Sequence, residues 1–317
     1  MKKLFSRTFT LMLCLLMLLG VAAPYGVHAE DSSSQETVTV CMTVEKFTLG
    51  EGYNKEPKLY TVPKGTHLDK LITDVLGENN YTHTGSVGDS SGQVGQSFYL
   101  ASVKDTEGNL NIPKYITDAI DKDDDVSLGS REDNDWLGEF DYTSASGWMY
   151  CANNTFPGYG CSNYELQNGD VIRWQYTLYG YGADLDADNS SWGTAALITT
   201  AQKDKLTWRV AEINAMEDKE AVLATGANQS KYDTAVAVLE NMESTQTEVD
   251  NALADLNALD TQTVAGDANG DSLVNYKDLV LVKNHFDNTV NTGENGDVNN
   301  DGIINYKDLV LVKNNFK

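Results

Sequence analysis

Two segments near the C-terminus of this 317-residue chain are near copies of one another. Gly266–Phe286 reads GDANGDSLVNYKDLVLVKNHF and Gly296–Phe316 reads GDVNNDGIINYKDLVLVKNNF, with 15 of 21 positions identical at an offset of 30. A repeat this close dictates two copies of one local structure. In each, an acidic, Asn-rich loop leads into a Leu-Val-Leu-Val run with the spacing of an amphipathic helix start. One such short helix cannot bury its own apolar side, so the two copies are expected to pack on each other.

The loops carry a specific arrangement of oxygen ligands. Asp267, Asn269, Asp271, Asn275 and Asp278 stand at loop positions 1, 3, 5, 9 and 12, and Leu273 at position 7 offers its backbone carbonyl. Asp297, Asn299, Asp301, Asn305 and Asp308 repeat the pattern, with Ile303 at position 7. A twelve-residue loop surrounds Ca²⁺ with hard oxygens from these positions. The three carboxylates of each loop repel one another until a divalent cation converts repulsion into attraction, so binding and folding are expected to be coupled. Two loops in register predict two calcium ions.

This segment resembles the type I dockerin, through its paired loops, Asp rather than Glu at position 12, and the absence of an incoming helix before either loop. Ser272 replaces the usual Gly at position 6 of the first loop, which is expected to weaken that site slightly. The resemblance implies docking on a cohesin domain of an extracellular scaffold that gathers polysaccharide-degrading components. It places partner contacts at Tyr276, Lys277, Lys283 and Asn284, matched by Tyr306, Lys307, Lys313 and Asn314. Because the two sets are identical, either face is expected to serve one cohesin. Tyr-Lys, where Ser/Thr pairs are common, implies a different cohesin specificity.

Residues 1–29 read as a secretory signal: Lys2, Lys3 and Arg7, then the apolar run Leu11–Val21, then Val27-His28-Ala29 as a cleavage site. That apolar run is short for a membrane span. The chain is therefore expected outside the cell, and the resemblance places it in a surface complex of a Gram-positive bacterium. Its net charge is −24, which argues against nucleic acid and anionic lipid as partners. Residues 30–193 hold 27 acids and 10 bases, so most of the surplus lies far from the loops and serves solubility.

The remaining chain divides by composition into 36–190, rich in aromatics and strand-like alternation, and 194–260, rich in Ala, Leu, Glu and Asn at helical spacing. With the segment 264–317 this predicts a multidomain α+β protein: a sheet-plus-helix domain, a small helical bundle acting as spacer, and two calcium-loop–helix repeats. Thr37–Phe47 predicts a strand with Val38, Val40, Met42 and Val44 on one face, and Leu59–Pro63 a second. Thr66 and Asp69 then predict the cap of a helix carrying Leu68, Leu71, Ile72, Val75 and Leu76, the opening of a β-grasp arrangement. In the middle segment Thr245 and Glu248 predict a capping box. The bundle resembles helical spacers of Gram-positive surface proteins.

The densest signature is Gly147-Trp148-Met149-Tyr150, followed by Asn153-Asn154, Pro157, Tyr164-Glu165-Leu166 and Gly169-Asp170-Val171-Ile172-Arg173-Trp174. It resembles exported bacterial relatives of the transcobalamin C-terminal domain, of the soluble-ligand-binding β-grasp group. Cobalamin is not carried over, because its binding in transcobalamins also needs a helical barrel absent here. Trp148, Tyr150, Tyr164 and Trp174 are read as core first and as a candidate ligand or glycan surface second. Cys151 and Cys161 flank a turn-rich stretch and are candidates for a disulfide; Cys41 pairing with one of them, or three separate thiols, are the alternatives. The acids at 121–125 and Glu132, Asp133, Asp135, Glu139 and Asp141 read as solvated loops rather than a glycosidase pair. A noncatalytic binding component is thus preferred over a glycoside hydrolase or a purely structural spacer.

Overall fold

The computed structural model describes residues 36–188, 194–224, 226–259, 265–270, 273–291, 295–299 and 301–316. The export signal at 1–29 and the loop residues Asp271 and Ser272 lie outside the described residues.

Strand β1 (Thr37–Glu45) sends Val38, Val40, Met42 and Val44 into the core, as its alternation predicts. It pairs antiparallel with β2 (Tyr53–Pro63), which begins six residues earlier than the apolar run at Leu59 suggests, because the pairing continues through two register shifts around Val44 to Glu45 opposite Tyr53. Helix α1 (Leu68–Leu76) follows and presses Leu68, Leu71, Ile72 and Leu76 onto the same core. Its cap differs from the expectation. His67 is the N-cap without a side-chain bond, Thr66 Oγ1 donates to Pro63 O, and the Asp69 carboxylate accepts from Lys70 N, Gly88 N and Ser162 Oγ. Asp69 is spent on tying two loops to the helix start.

A smaller antiparallel sheet, β3 (Tyr81–Thr84), β4 (Tyr99–Lys104) and β5 (Trp136–Gly138), adds Leu100, Val103 and Leu137. Between β4 and β5, α2 (Lys114–Ile120) adds Ile116 and Ile120. Strands β6 (Gly147–Ala152) and β7 (Val171–Thr177) complete the larger sheet in the order β2-β1-β7-β6, with β1 and β7 parallel at its centre. Parallel neighbours require a long crossover; here it is everything from β2 to β6.

Most of the acids in the two acidic loops are exposed, as solvated loops would have them (Asp121, Asp124, Asp125, Glu132, Asp133 and Asp135), and three are tied into the fold. Asp141 accepts from Glu132 N and Gly138 N, Glu139 from Tyr99 OH, and Asp123 from Tyr179 OH. Arg131, with no side-chain exposure, meets Asp105 at 2.8 Å, and Lys46 bridges Asp105 and Glu51 at 2.9 and 2.5 Å.

All seven residues of β7 are buried, so both faces of the sheet are covered. The cover on the second face is helical. Helix α3 (Asp204–Asn214) packs Ala211 and Trp208 against Cys41, Val171 and Leu59. Behind it, α4 (Lys219–Leu223), α5 (Asn228–Glu240) and α6 (Gln246–Asn257) bury Leu223, Leu239, Val249 and Leu256, with α6 opened by the Thr245–Glu248 capping box. The segment expected as a spacer thus lies on the sheet, where it covers the outward Cys41 and Val171 together with the polar Thr43, Glu45, Arg173 and Gln175, all of them buried. Glu45 and Arg173, 2% and 5% exposed, share that seam. Beside it, within the helical segment, Lys203 Nζ donates to Leu239 O and Asn241 O, and burial pushes its amine down to about 7.

Among the described residues no disulfide forms; Cys41, Cys151 and Cys161 are free and buried. Cys151 lies on the outward side of β6 with Arg173 Nη2 at 3.8 Å, whereas Cys161 belongs to the inner core, so the sheet stands between them. Burial pushes the Cys41 and Cys161 thiols up to about 12. A thiol reagent at pH 8 is therefore expected to label none of the three in the native exported protein and all three after unfolding without reductant. Recovery of a single thiol would mean that two of them are bridged.

Candidate functional site

The C-terminal loops are built by their own acids. In the first, Asn275 caps α7 (Tyr276–Asn284) by accepting from Lys277 N, and Asp278 closes the capping box by accepting from Asn275 N at 2.7 Å. The other oxygen of Asp278 accepts from Ala268 N and Asn269 N, at 2.9 and 3.1 Å. One carboxylate therefore joins the start of the loop to the start of the helix. Asn305 and Asp308 do the same at α8 (Tyr306–Asn314), where Asp308 accepts from Asn305 N and Asn299 N. Asp267 Oδ1 accepts from Gly270 N, and the two oxygens of Asp297 accept from Asp301 N and Gly302 N.

Asp278 and Asp308 are wholly buried and Asp297 is 2% exposed. Carboxylates are costly to bury unless something offsets their charge. Backbone amides do part of this, and the Asp and Asn oxygens at these loop positions are of the kind a hard divalent cation takes; among the described residues, no group of three or more His, Cys, Asp or Glu stands together so as to hold a metal ion. The position-7 carbonyls of Leu273 and Ile303 accept from Asn275 Nδ2 and Asn305 Nδ2. Asp301 is exposed, and its carboxyl is held below its usual range chiefly by the hydrogen bond from Lys307.

Val274, Val282, Ile304 and Val312 form a fully buried core between the two repeats. Each repeat begins with a glycine that backs onto the other repeat's helix. Gly266 has φ +94°, and a Cβ there would lie 2.7 Å from Leu311 O; Gly296 has φ +107°, and a Cβ would lie 3.1 Å from Val282 Cα. The paired helices leave matched surfaces outward. Tyr276 and Tyr306 are 72% and 71% exposed, and Lys277, Lys283 and Asn284 are exposed like Lys307, Lys313 and Asn314. Leu273 and Ile303, also exposed, extend the apolar part of each surface.

The four aromatics singled out in the first domain do not form an open platform. Trp148 and Trp174 are buried, on the inner face of the sheet; Tyr150 and Tyr164 are half-buried. Trp148 Nε1 donates to Leu137 O, and Tyr150 OH to Tyr159 O. Three of the four, Trp148, Tyr150 and Trp174 (the last two with centroids 5.7 Å apart), line a recess of about 200 Å³ together with Tyr99, Phe156 and Pro157, and Tyr164 does not. Tyr99 was missed because its contribution depends on β4 lying beside β6. Pro157 stands within the aromatic motif, and Phe156 beside it in sequence is the available signal.

Residues 265–317 match the Dockerin type I domain family, and residues 134–177 match a Domain of unknown function (DUF4430). Type I dockerins bind calcium and dock on cohesins of cellulosome-type complexes, the chemistry that the paired loops offer. Among solved structures, haptocorrin in complex with Cbi is similar at 13% identity and TM-score 0.27, over 46% of this chain and 26% of haptocorrin. The chain thus spans about a quarter of that protein. A protein of Ruminococcus gnavus, provisionally described as metal binding, is similar at 7% identity and TM-score 0.22, over 46% of this chain and 99% of its own. No curated protein matches the chain. Among the described residues, no helix is long and apolar enough to cross a membrane.

Substituting either opening glycine tests the packing of the repeats. Gly266→Ala is expected to destabilise by roughly 2 kcal/mol or more, and Gly296→Ala by roughly 1–2 kcal/mol, through positive φ and close backbone approach. Thermal unfolding of the calcium-loaded chain is the measurement, and unchanged unfolding in both variants would rule the contact out.

Proposed function

We propose that this chain is an exported, noncatalytic component of an extracellular polysaccharide-degrading complex on a Gram-positive bacterium. Its division is a signal at 1–29, a β-grasp domain at 36–190, a helical segment at 194–260 and a type I dockerin at 264–317. The observation that carries this reading is the duplicated loop with its buried, amide-held Asp278 and Asp308. Two calcium ions occupy the loops. Asp267, Asn269, Asp271, Asn275, Asp278 and the Leu273 carbonyl surround the first; Asp297, Asn299, Asp301, Asn305, Asp308 and the Ile303 carbonyl surround the second.

Calcium locks each loop against its helix and so presents the exposed Tyr-Lys pairs to a cohesin. The Tyr supplies an aromatic anchor and the Lys pairs supply charge at the rim. Since the two surfaces match residue for residue, the module docks in either of two orientations. Changing Tyr276 and Lys277 to Ala, or Tyr306 and Lys307 to Ala, is expected to leave cohesin binding within a few-fold of the parent. Changing all four, or adding a chelator, abolishes it. Calorimetry with a cohesin checks this; complete loss from one pair alone refutes the two-way docking, and binding unaffected by chelator refutes the calcium role.

The β-grasp reading is supported by the central parallel pair β1–β7, the β1–β2 hairpin and α1 on one face. Its cargo role is ligand or glycan binding, with the recess lined by Tyr150 and Trp174 as a candidate contact. On a glycan array the full chain is expected to be retained without releasing reducing sugar. Turnover abolished by changing one acid would instead make it a hydrolase.

A further inference from the structure

Packing of the helices on the sheet creates a groove that neither part has alone. It has a volume of about 590 Å³. Asn153, Gly169 and Val171 reach it from the sheet, Trp208 and Arg209 from α3, and Leu253 and Asn257 from α6. Trp208 is half-buried, fixed from behind by Val171, Cys41 and Ala211.

The indole is also held at its edge. Its Nε1 donates to Glu212 Oε1 at 3.0 Å, while Arg209 Nη1 donates to Glu212 Oε2 at 2.9 Å. Arg209 Nε and Nη2 in turn point to Leu256 O, at 3.4 and 3.3 Å. The platform is therefore set before any ligand arrives, which lowers the ordering cost of binding. Around it stand Asp204 and Lys205 and the exposed amide of Asn257. The two acids and two bases of this wall, Asp204, Glu212, Lys205 and Arg209, cancel, so the groove is neutral in a chain of charge −24.

These features select among ligands. A net anion gains nothing from a wall without net charge. A purely apolar molecule would desolvate Lys205 and Asn257 without replacing their hydrogen bonds. A neutral ring with one C–H face and a rim of hydroxyls satisfies both parts, resting on the indole and bonding to the planar amide and charged groups beside it. We propose that this groove between sheet and helices is a binding site for a neutral oligosaccharide, with Trp208 as its stacking platform and Asn257 at its rim. The inference rests on the ligand-binding reading of the cargo but places the contact outside the Tyr150 recess.

Calorimetric titration of the full, calcium-loaded chain with cellotriose, xylotriose and maltotriose tests it. At least one is expected to bind saturably. Trp208→Ala should weaken that binding at least about tenfold, the scale of a lost aromatic contact. Because Trp208 also packs on the sheet, Asn257→Trp provides a second variant: it blocks the groove from an exposed position and should abolish binding without lowering the melting temperature. Val94→Ala, at an exposed position that lines neither the groove nor the recess, should leave affinity unchanged. Binding that survives both groove variants overturns the site. Loss on Tyr150→Ala alone also overturns it while upholding the ligand-binding reading. Binding of none of the three sugars overturns the groove assignment, and retention on the wider glycan array then decides the broader reading separately.

Discussion

The parallel pairing of β1 with β7 is the constraint on which the rest of the larger body depends. It brings residues 41–45 beside residues 171–175, so the chain between them must leave and return across the sheet. A central pair of this kind is solvated on neither face. Inward, α1 and the smaller sheet cover it; outward, α3 does. The outward seam is where charge is hardest to accommodate, and Glu45, Arg173, Lys203 and Asp204 lie there together. Burial lowers the affinity of Lys203 for its proton, and the two carbonyls at the end of α5 receive the hydrogen bonds of its amine. The same seam leaves the groove beside Trp208.

The C-terminal repeats solve a smaller problem by symmetry. Four buried valine and isoleucine side chains are a thin core, and a unit of this size needs another source of stability. Its loops supply one, because Asp278 and Asp308 each link a loop to a helix through backbone amides and leave oxygens suited to calcium. Gly266 and Gly296 allow each loop to approach the opposite helix. Duplication then places identical Tyr and Lys residues on two outward surfaces, a consequence of repeat symmetry.

Local patterns survived translation into structure where they were self-contained. The alternation of Val38, Val40, Met42 and Val44 marked a strand face, the Thr245–Glu248 spacing marked a helix start, and the loop–helix repeats marked α7 and α8. Patterns that depended on distant partners misled. Asp69 has the spacing of a capping residue but is taken by Gly88 and Ser162. Cys151 and Cys161 are close in sequence yet separated by a sheet, because strand alternation turns Cys151 outward while Cys161 joins the inner core. The polar start of β2 at Tyr53 reads as loop, since an edge strand needs no apolar run when backbone pairing holds it.

What the sequence by itself determined is the pattern of the repeat: Asp and Asn at fixed loop positions, helices after them, and two identical sets of residues. Such information is local, because a loop positions its own ligands within twelve residues. Only the tertiary structure decided that the helical segment covers the sheet rather than spacing it from the repeats. It likewise decided that Trp148 and Trp174 face inward while Trp208, unremarkable in its helix, lines a groove. Those outcomes depend on which outward residues of β1 and β7 need shelter from water, and that is known only once two strands 130 residues apart are paired.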